Sequence, residues 1–348
     1  ADHCVTHRSV AGRWQRIDDV GGAHAFLQQP AMALGLSAAL SPAWSAPAAQ
    51  SRAYQPVDLY ALEYAADPQI SPDGRKIAYV RRSFDIMSDR ARANIWIVDV
   101  ATGEHRPLLS GAASYSSPRW SADGSRIFFI SSFRSNWPEI FSTNGYGEAS
   151  KVIVNVRGAL GAASSGPDGR IAFASSNKGT MDIFVAGPQG QTPTRVIKAP
   201  SMQWVNTDPS WSPDGSRFAL TAGPTGSPGI YLASSAGGAL QRLSTGHGYS
   251  TEPRWNPVFP DQLVFTYQEA GALRLGVLDL AAGTVTPIVT KSPVSIAHAS
   301  WCADGRHLVA AQGNWLAVID SVTGKVTRLT PSQLGDCSEP DCWTPRAQ

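Results

Sequence analysis

Charged residues are scarce in this sequence. Only 16% of its 348 residues are Asp, Glu, Lys or Arg, and 29 basic residues against 27 acidic ones leave a net charge of +2. No basic run is longer than a pair such as Arg81-Arg82, so the chain lacks the phosphate-tracking patch of a nucleic-acid-binding protein. With 43% apolar residues, it is too hydrophobic for a disordered or acidic-tail protein. A globular protein with a sizeable core is therefore expected.

Hydrophobic runs of membrane-spanning length are also missing. The apolar run at residues 31–40 (AMALGLSAAL) is shorter than the about 20 residues that a transmembrane helix needs. Basic residues precede this run and the small residues 45–49 follow it, which is the order of a secretory signal. We therefore interpret residues 1–50 as a signal-like or N-terminal extension and expect a periplasmic or secreted protein. The alternative is an Ala-rich helix packed on the domain.

Cysteine is rare, with four residues in the chain. Cys337 and Cys342 flank Pro340 and predict a small disulfide loop near the C-terminus. Cys302 is then expected to be a buried strand residue, and Cys4 to leave with the signal. No C-x-x-C pair or His cluster supplies four zinc ligands. The sequence therefore predicts neither a metal nor another cofactor.

Familiar catalytic motifs are missing too. The chain contains no G-x-S-x-G nucleophile elbow, no G-x-x-x-x-G-K-[ST] phosphate loop and no H-E-x-x-H zinc motif. His247 has no Ser and acid in a recognisable triad pattern. We therefore predict that the protein is not an enzyme.

Glycine and proline, in contrast, are abundant, with 32 Gly and 25 Pro making about one residue in six. Many of them fall in one unit that recurs six times, with openings such as PRWSADGSRIFFI and PSWSPDGSRFALT. The units open at Pro68, Pro118, Ala163, Pro209, Pro253 and Ala299. Their turn Asp residues, at 73, 123, 168, 214, 261 and 304, are 43 to 50 residues apart. This period is typical of one propeller blade.

Each unit predicts four short strands. A strand ending in Trp or another apolar residue meets a Ser-Pro-Asp-Gly turn, in which Pro presets φ, Asp caps the backbone and Gly takes the left-handed position. Two apolar strands and a glycine turn then lead to the closing strand. The sequence therefore predicts an all-β, six-bladed propeller of four-stranded antiparallel blades. The recurrent Trp120, Trp211, Trp255 and Trp301 are expected to be wedges between blades, and the repeated Asp residues to be turn-formers.

These repeats resemble those of the TolB-like propellers of the Tol-Pal system. The best local match is the T-E-P-R-W-N-P segment at residues 251–257 together with the strand at 262–266. The resemblance implies a periplasmic protein-binding module, with a Pal-like lipoprotein or another envelope protein as partner. It also implies that the residues before the repeat Pro lie at the mouth of the channel and contact that partner.

The first repeat also resembles the propeller of prolyl-oligopeptidase-like peptidases, through residues 57–62 and 67–74. Only 19 residues follow Leu329, too few for their hydrolase domain. The alternative function is therefore a detached propeller, or a gating subunit, of such a peptidase system. The predicted divisions are an extension at 1–50, a lead-in segment at 51–67, the propeller at 68–331 and a tail at 332–348.

The candidate site is the channel mouth, which we define by the residue before each repeat opening. These residues are Asp67, Ser117, Ala162, Asp208, Glu252 and His298. The predicted partner-binding residues are Asp208, His247, Thr251, Glu252 and His298, with Asp67 and Ser117 elsewhere on the mouth. Two other interpretations stay open: a solvated funnel whose acids cap nearby backbone groups, and a cation held by carboxylates.

Overall fold

The computed structural model describes residues 7–10, 13–16, 60 and 62–330, with gaps at 112, 149, 157, 177–178 and 191. Near the N-terminus, β1 (His7–Val10) and β2 (Arg13–Arg16) pair as an antiparallel hairpin. Most of the signal-like segment, the C-terminal tail and the predicted Cys337–Cys342 disulfide lie outside the described residues. Among those residues, no helix is long and apolar enough to cross a bilayer.

The remaining strands form six four-stranded antiparallel sheets, each built from consecutive strands. Blade 1 comprises β3 (Glu63–Ile70), β4 (Lys76–Asp85), β5 (Arg90–Asp99) and β6 (His105–Leu109). Blade 2 comprises β7 (Tyr115–Trp120), β8 (Arg126–Ser131), β9 (Glu139–Asn144) and β10 (Lys151–Val154). Blade 3 comprises β11 (Leu160–Ser165), β12 (Ile171–Ser175), β13 (Asp182–Ala186) and β14 (Thr194–Ile197).

The second half of the ring repeats this arrangement. Blade 4 comprises β15 (Trp204–Trp211), β16 (Arg217–Pro224), β17 (Gly229–Ser234) and β18 (Gln241–Arg242). Blade 5 comprises β19 (Ser250–Trp255), β20 (Gln262–Glu269), β21 (Ala272–Asp279) and β22 (Thr284–Pro287). Blade 6 comprises β23 (Ile296–Trp301), β24 (His307–Gln312), β25 (Trp315–Asp320) and β26 (Val326–Arg328). The predicted six-bladed propeller is confirmed.

In five of the six blades, the turn after the inner strand is held by its Asp. In blade 1, Asp73 accepts hydrogen bonds from the Ser71 hydroxyl at 2.6 Å and from the Arg75 backbone N–H at 3.1 Å. Gly74 has a φ of 72°, a left-handed conformation that glycine adopts without steric cost. The same bonds recur around Asp123 and Asp214. Asp168 and Asp304 accept equivalent backbone bonds, so five of the repeated Asp residues are turn-formers, as the sequence predicts. In blade 5, Asn256 accepts the turn bonds, from the backbone N–H groups of Val258 and Phe259.

The recurrent tryptophans join neighbouring blades. The indole Nε1 of Trp120 donates to the Gln69 carbonyl of blade 1 at 2.9 Å. Trp211 and Trp301 make the equivalent bond to the inner strand of the preceding blade, at 3.3 and 3.1 Å. Among the described residues, the buried Nε1 of Trp255 has no hydrogen-bond partner, although its ring is as buried as those of Trp211 and Trp301. Three of the four wedges are therefore fixed by a directional bond as well as by packing.

The ring closes where blade 6 packs on blade 1. Val309 and Leu316 of blade 6 share one apolar cluster with Ile77 and Tyr79 of blade 1. The Ala65 N–H donates to the Asn314 carbonyl across this junction at 3.1 Å.

Two details of this junction bear on the sequence predictions. The first propeller strand begins at Glu63, inside the predicted lead-in segment, because the inner strand continues on both sides of Asp67. Cys302, also at this junction, is fully buried, as expected. It is also disulfide-bonded, whereas the sequence had suggested only a buried strand residue.

Candidate functional site

Every inner strand contains an irregularity near its middle, at or next to the residue that the sequence predicts to lie at the channel mouth. The pairing of the inner strand with its neighbour shifts register in all six blades. In five of them the mouth residue is a non-glycine residue with a φ between 48° and 58°: Asp67, Ser117, Asp208, Glu252 and His298. Ala162, in blade 3, does not have a positive φ. Each left-handed non-glycine residue costs about 1–3 kcal/mol, and such strain is concentrated at functional sites.

Glu252 and His298 form the best-defined pair of the mouth. The Glu252 Oε1 lies 2.7 Å from the His298 Nδ1. Its Oε2 accepts hydrogen bonds from the His298 backbone N–H and from the Thr266 hydroxyl, both at 3.0 Å. The glutamate side chain is 17% exposed and the imidazole 43%. Neighbouring blades 5 and 6 are therefore bridged by a carboxylate with three partners.

The two groups shift each other's pKa. Burial alone would raise the pKa of Glu252, but the hydrogen bonds and charge of His298 lower it to about 2. Burial alone would lower the pKa of His298, but the hydrogen bond that its imidazole donates to Glu252 and the charges of Glu252, Asp67 and Asp208 raise it. The charged pair is therefore favoured at mildly acidic pH, and an imidazole held by a carboxylate can donate or accept a proton.

Asp67 forms a second ion pair, with Arg119 of blade 2. The Arg119 Nη1 lies 2.9 Å from both carboxylate oxygens of Asp67 and 2.7 Å from the Pro118 carbonyl. Arg119 is only 7% exposed. Gln69 also donates to the Asp67 carboxylate, at 3.2 Å. The guanidinium is thus locked in one orientation beside the channel.

Asp208 and Arg254 complete the charged layer. Burial and the nearby charge of Glu252 raise the pKa of Asp208, against the opposing effect of Arg254 and Arg119. Burial and the like charge of Arg119 lower the pKa of Arg254, against the effect of Asp208, Asp67 and Glu252. We call these six residues the axial cluster: Asp67, Arg119, Asp208, Glu252, Arg254 and His298. Four of them are mouth residues that the sequence analysis selected.

The sequence predictions do not include the two arginines, because each follows a proline and has the pattern of an ordinary strand residue. The sequence nevertheless contains a sign that they belong to the channel. The tripeptide Pro-Arg-Trp opens the second and fifth units, at residues 118–120 and 253–255. Units three blades apart in a ring of six lie on opposite sides of the axis, so this spacing directs both guanidiniums towards the channel.

The other predicted partner-binding residues lie around this cluster. Thr251 is half-buried and pairs with Thr266 in β20. His247 lies in the loop before β19, where its ring stacks on Tyr267 with centroids 3.9 Å apart and an interplanar angle of 18°. Ser117 is half-buried in β7. The structure thus brings Asp67, Asp208, Glu252 and His298 together, and it places His247 on the rim of blade 5.

The carboxylates of the cluster are not arranged as a metal centre. Within the described part of the chain, no group of three or more His, Cys, Asp or Glu side chains is placed to hold a metal ion. Arg119 and His298 occupy positions next to the acids that a cation would need. The cluster is instead a mixed-charge polar surface, which can accept and donate hydrogen bonds.

The fold and this polar axis define a class of protein, a six-bladed propeller with a charged channel. Residues 89–347 match the family model of the TolB beta propeller domain. The match covers about three quarters of the chain, which therefore belongs to the TolB beta propeller domain family. The family resemblance seen in the repeats is confirmed.

Two curated proteins are similar over part of their length. The chain is 37% identical over 97 residues to the uncharacterized peptidase YuxL of Bacillus subtilis (strain 168), covering 27% of this chain and 15% of that protein. It is 29% identical over 164 residues to the Tol-Pal system protein TolB of Anaeromyxobacter dehalogenans (strain 2CP-C), covering 47% of this chain and 35% of that protein. The aligned part is thus well under half of either relative.

A solved structure shares the fold. The crystal structure of TolB from Acinetobacter baumannii superimposes with a TM-score of 0.57 at 18% identity, covering 74% of this chain and 77% of that chain. At this identity, the likeness concerns the fold alone.

Proposed function

We propose that the protein is a non-catalytic protein-binding module that docks a partner on its channel mouth. The observation that carries this proposal is the ring of left-handed residues. Five non-glycine residues hold the same strained conformation at equivalent places, and each costs about 1–3 kcal/mol. A conformation that is repeated at this cost is expected where the side chains must face a ligand. Membership of a propeller family agrees with a binding role.

The proposed docking surface is polar and rigid. Glu252, His298, Asp208 and Thr251 would exchange hydrogen bonds with the partner, and His247 would contribute its loop-borne ring at the rim. The carboxylates and the positively charged imidazole favour a partner with complementary charges, which would speed association and set the register. Because the mouth residues are part of hydrogen-bonded strands, docking would need little backbone movement.

The partner that we propose is an envelope protein, of the Pal-like lipoprotein type, and the location is the periplasm. The support is the similarity to a protein named as a member of the Tol-Pal system, together with the signal-like order of residues 1–50. The chain spans only 35% of that protein, so both the partner and the location are proposals to be tested.

A second candidate is a gating subunit, or detached propeller, of a prolyl-oligopeptidase-like system. The observation in its favour is the similarity to YuxL, a protein named as a peptidase. In this case, the channel would admit or exclude peptides for a hydrolase carried by another chain. The two candidates differ in the partner that they require, a lipoprotein or a hydrolase.

The experiment is affinity capture from the native envelope fraction, with mass spectrometry of the retained proteins. The variant is Glu252→Gln, which removes one negative charge from the mouth and keeps the shape of the side chain. The matched control is Glu269→Gln in the same blade, an exposed residue at the end of β20. We expect a lipoprotein to be retained by the wild-type protein and by the control, and to be lost with Glu252→Gln.

Three outcomes would count against the proposal. A lipoprotein retained equally by Glu252→Gln would remove the mouth from the interface. A retained hydrolase would favour the gating subunit. Retention that is lost with both variants would indicate a general charge effect rather than a docking surface.

A further inference from the structure

A cavity lies at the ends of the inner strands, next to the Asp-Gly turns that follow them. This turn-face cavity has a volume of about 380 Å³, within the range of about 300–1,000 Å³ that is typical of small-molecule sites. Arg119, Arg254, Trp120 and Trp301 line it, together with four serines and Gln69. None of its described lining residues is acidic.

The two arginines enter the cavity from opposite blades. Within the described part of the chain, the hydrogen bonds of the Arg119 side chain all use Nη1, to Asp67 and to the Pro118 carbonyl. The one hydrogen bond of the Arg254 side chain also uses Nη1, to the Pro253 carbonyl at 2.9 Å. The Nε and Nη2 donors of both residues therefore have no protein acceptor there. A guanidinium has five N–H donors in a planar fork, so most of this donor capacity is unused.

The charges around the two arginines indicate which kind of ligand group would accept hydrogen bonds from these donors. In the axial cluster, two guanidiniums and the imidazole of His298, whose pKa is raised, are placed against three carboxyl groups, those of Asp67, Glu252 and Asp208. The pKa of Asp208 is also raised, which disfavours its negative charge. The carboxylates lie outside the cavity lining, whereas both arginines lie within it. Burial and the like charge of Arg119 lower the pKa of Arg254. One negative charge on the cavity side would relieve this repulsion.

We propose that the turn-face cavity binds a ligand through a single carboxylate group, held between the free guanidinium edges of Arg119 and Arg254. Arginine forks match carboxylates in bidentate geometry. The serine hydroxyls would bind other polar atoms of the ligand, and the two indole rings would cover its apolar part. Because the cavity is small, the ligand is a small organic acid or the C-terminal end of a peptide. Both arginines belong to the axial cluster, but the ligand would occupy the turn-face cavity, so this proposal does not require the docking of a partner on the channel mouth.

The test is isothermal titration calorimetry on the full chain with three probes. They are N-acetyl-Ala-Ala as the free acid, the same dipeptide as its C-terminal amide, and sodium acetate, all at constant ionic strength. We expect the free acid to bind at least about tenfold more tightly than the amide, because the amide loses a charge-assisted contact. Acetate binding as tightly as the dipeptide acid would identify a small acid as the ligand, and weaker binding of acetate would identify a peptide C-terminus.

The variants are Arg254→Gln and Arg254→Lys, with Arg242→Gln as the matched control. Arg242 is an exposed residue of the outer strand β18, away from the cavity lining. We expect Arg254→Gln to weaken binding of the acid at least about tenfold, Arg254→Lys to weaken it less, and the control to bind as the wild type does. Equal affinities for acid and amide, no binding of either acid, or unchanged affinity in folded Arg254→Gln would each overturn the proposal. The comparison of acid and amide uses the wild-type protein, so it decides even if the variants do not fold.

Discussion

The Glu252–His298 bridge predicts a defined pH dependence of stability. Replacing Glu252 by Gln removes the negative charge and leaves a side chain of nearly the same shape. Burial would raise the pKa of Glu252, yet His298 lowers it from 4.5 to about 2. The contribution of this carboxylate is therefore complete above pH 4.5 and is lost as the pH falls towards 2.

The imidazole of His298 determines the upper end of the pH range in which the bridge stabilises the fold. Despite burial, Glu252 raises the pKa of His298 above 6.5, so its contribution is complete below pH 6.5 and is lost as the pH rises through the pKa of the folded state. The difference between the wild-type protein and Glu252→Gln should therefore be largest between pH 4.5 and 6.5.

The size of the effect follows from the pKa of Glu252. A fall from 4.5 to about 2 corresponds to about 3 kcal/mol, at about 1.4 kcal/mol for each tenfold change in acidity. Since the imidazole is 43% exposed, solvent screens the pair, and we expect about 1–2 kcal/mol in the free energy of unfolding. For a domain of this size, this is a difference of about 2–8 °C in Tm.

The assay is differential scanning fluorimetry from pH 3 to pH 9 on the wild-type protein, Glu252→Gln and the control Glu269→Gln. The expected difference in Tm rises from low pH, peaks in mildly acidic buffer and declines above neutrality, whereas the control follows the wild type. A Tm difference for Glu252→Gln that is constant over the whole pH range would refute the charged bridge and would leave a purely steric role for this residue.

Two further predictions use matched pairs in the blades. Gly190→Ala should lower the free energy of unfolding by more than about 3 kcal/mol, because the new Cβ would lie 1.7 Å from the Ile153 carbonyl oxygen. Gly283 has a similar φ, but its Cβ would meet no described atom within 4 Å. Gly283→Ala should therefore cost only about 1 kcal/mol. Trp301→Phe removes an interblade hydrogen bond, whereas Trp255→Phe removes none, because the Trp255 Nε1 has no partner among the described residues. The loss in the free energy of unfolding should therefore be about 1 kcal/mol larger for Trp301→Phe. Chemical denaturation measures both, and equal losses within either pair would contradict the assigned contacts.

The fold was accessible from the sequence because its determinants are local. Each Ser-Pro-Asp-Gly turn contains its own capping hydrogen bonds, as around Asp73, and a regular spacing of such turns is enough to count blades. The beginning of the first blade was less accessible. Glu63 and Tyr64 pair with β4 beyond the bulge, and the repeat pattern was anchored on Pro68.

The candidate site was accessible only in part. The position before each repeat proline selected Asp67, Asp208, Glu252 and His298, which the structure brings together. Their partners were not evident, because the Asp67–Arg119 and Glu252–His298 contacts join residues 52 and 46 positions apart. Such contacts depend on how neighbouring blades are rotated about the axis, and no local pattern specifies that rotation.

The register shift in each inner strand fixes the backbone of this surface without fixing which side chain it carries. The strand ladder on either side of each bulge sets the backbone, and Asp, Ser, Glu and His all occupy the same left-handed position. Four residue types therefore share one backbone conformation at five equivalent positions around the channel. Substituting one blade at a time would change the charge and hydrogen-bonding pattern offered to a ligand while the topology stays the same, so the propeller is a natural scaffold for redesigning recognition.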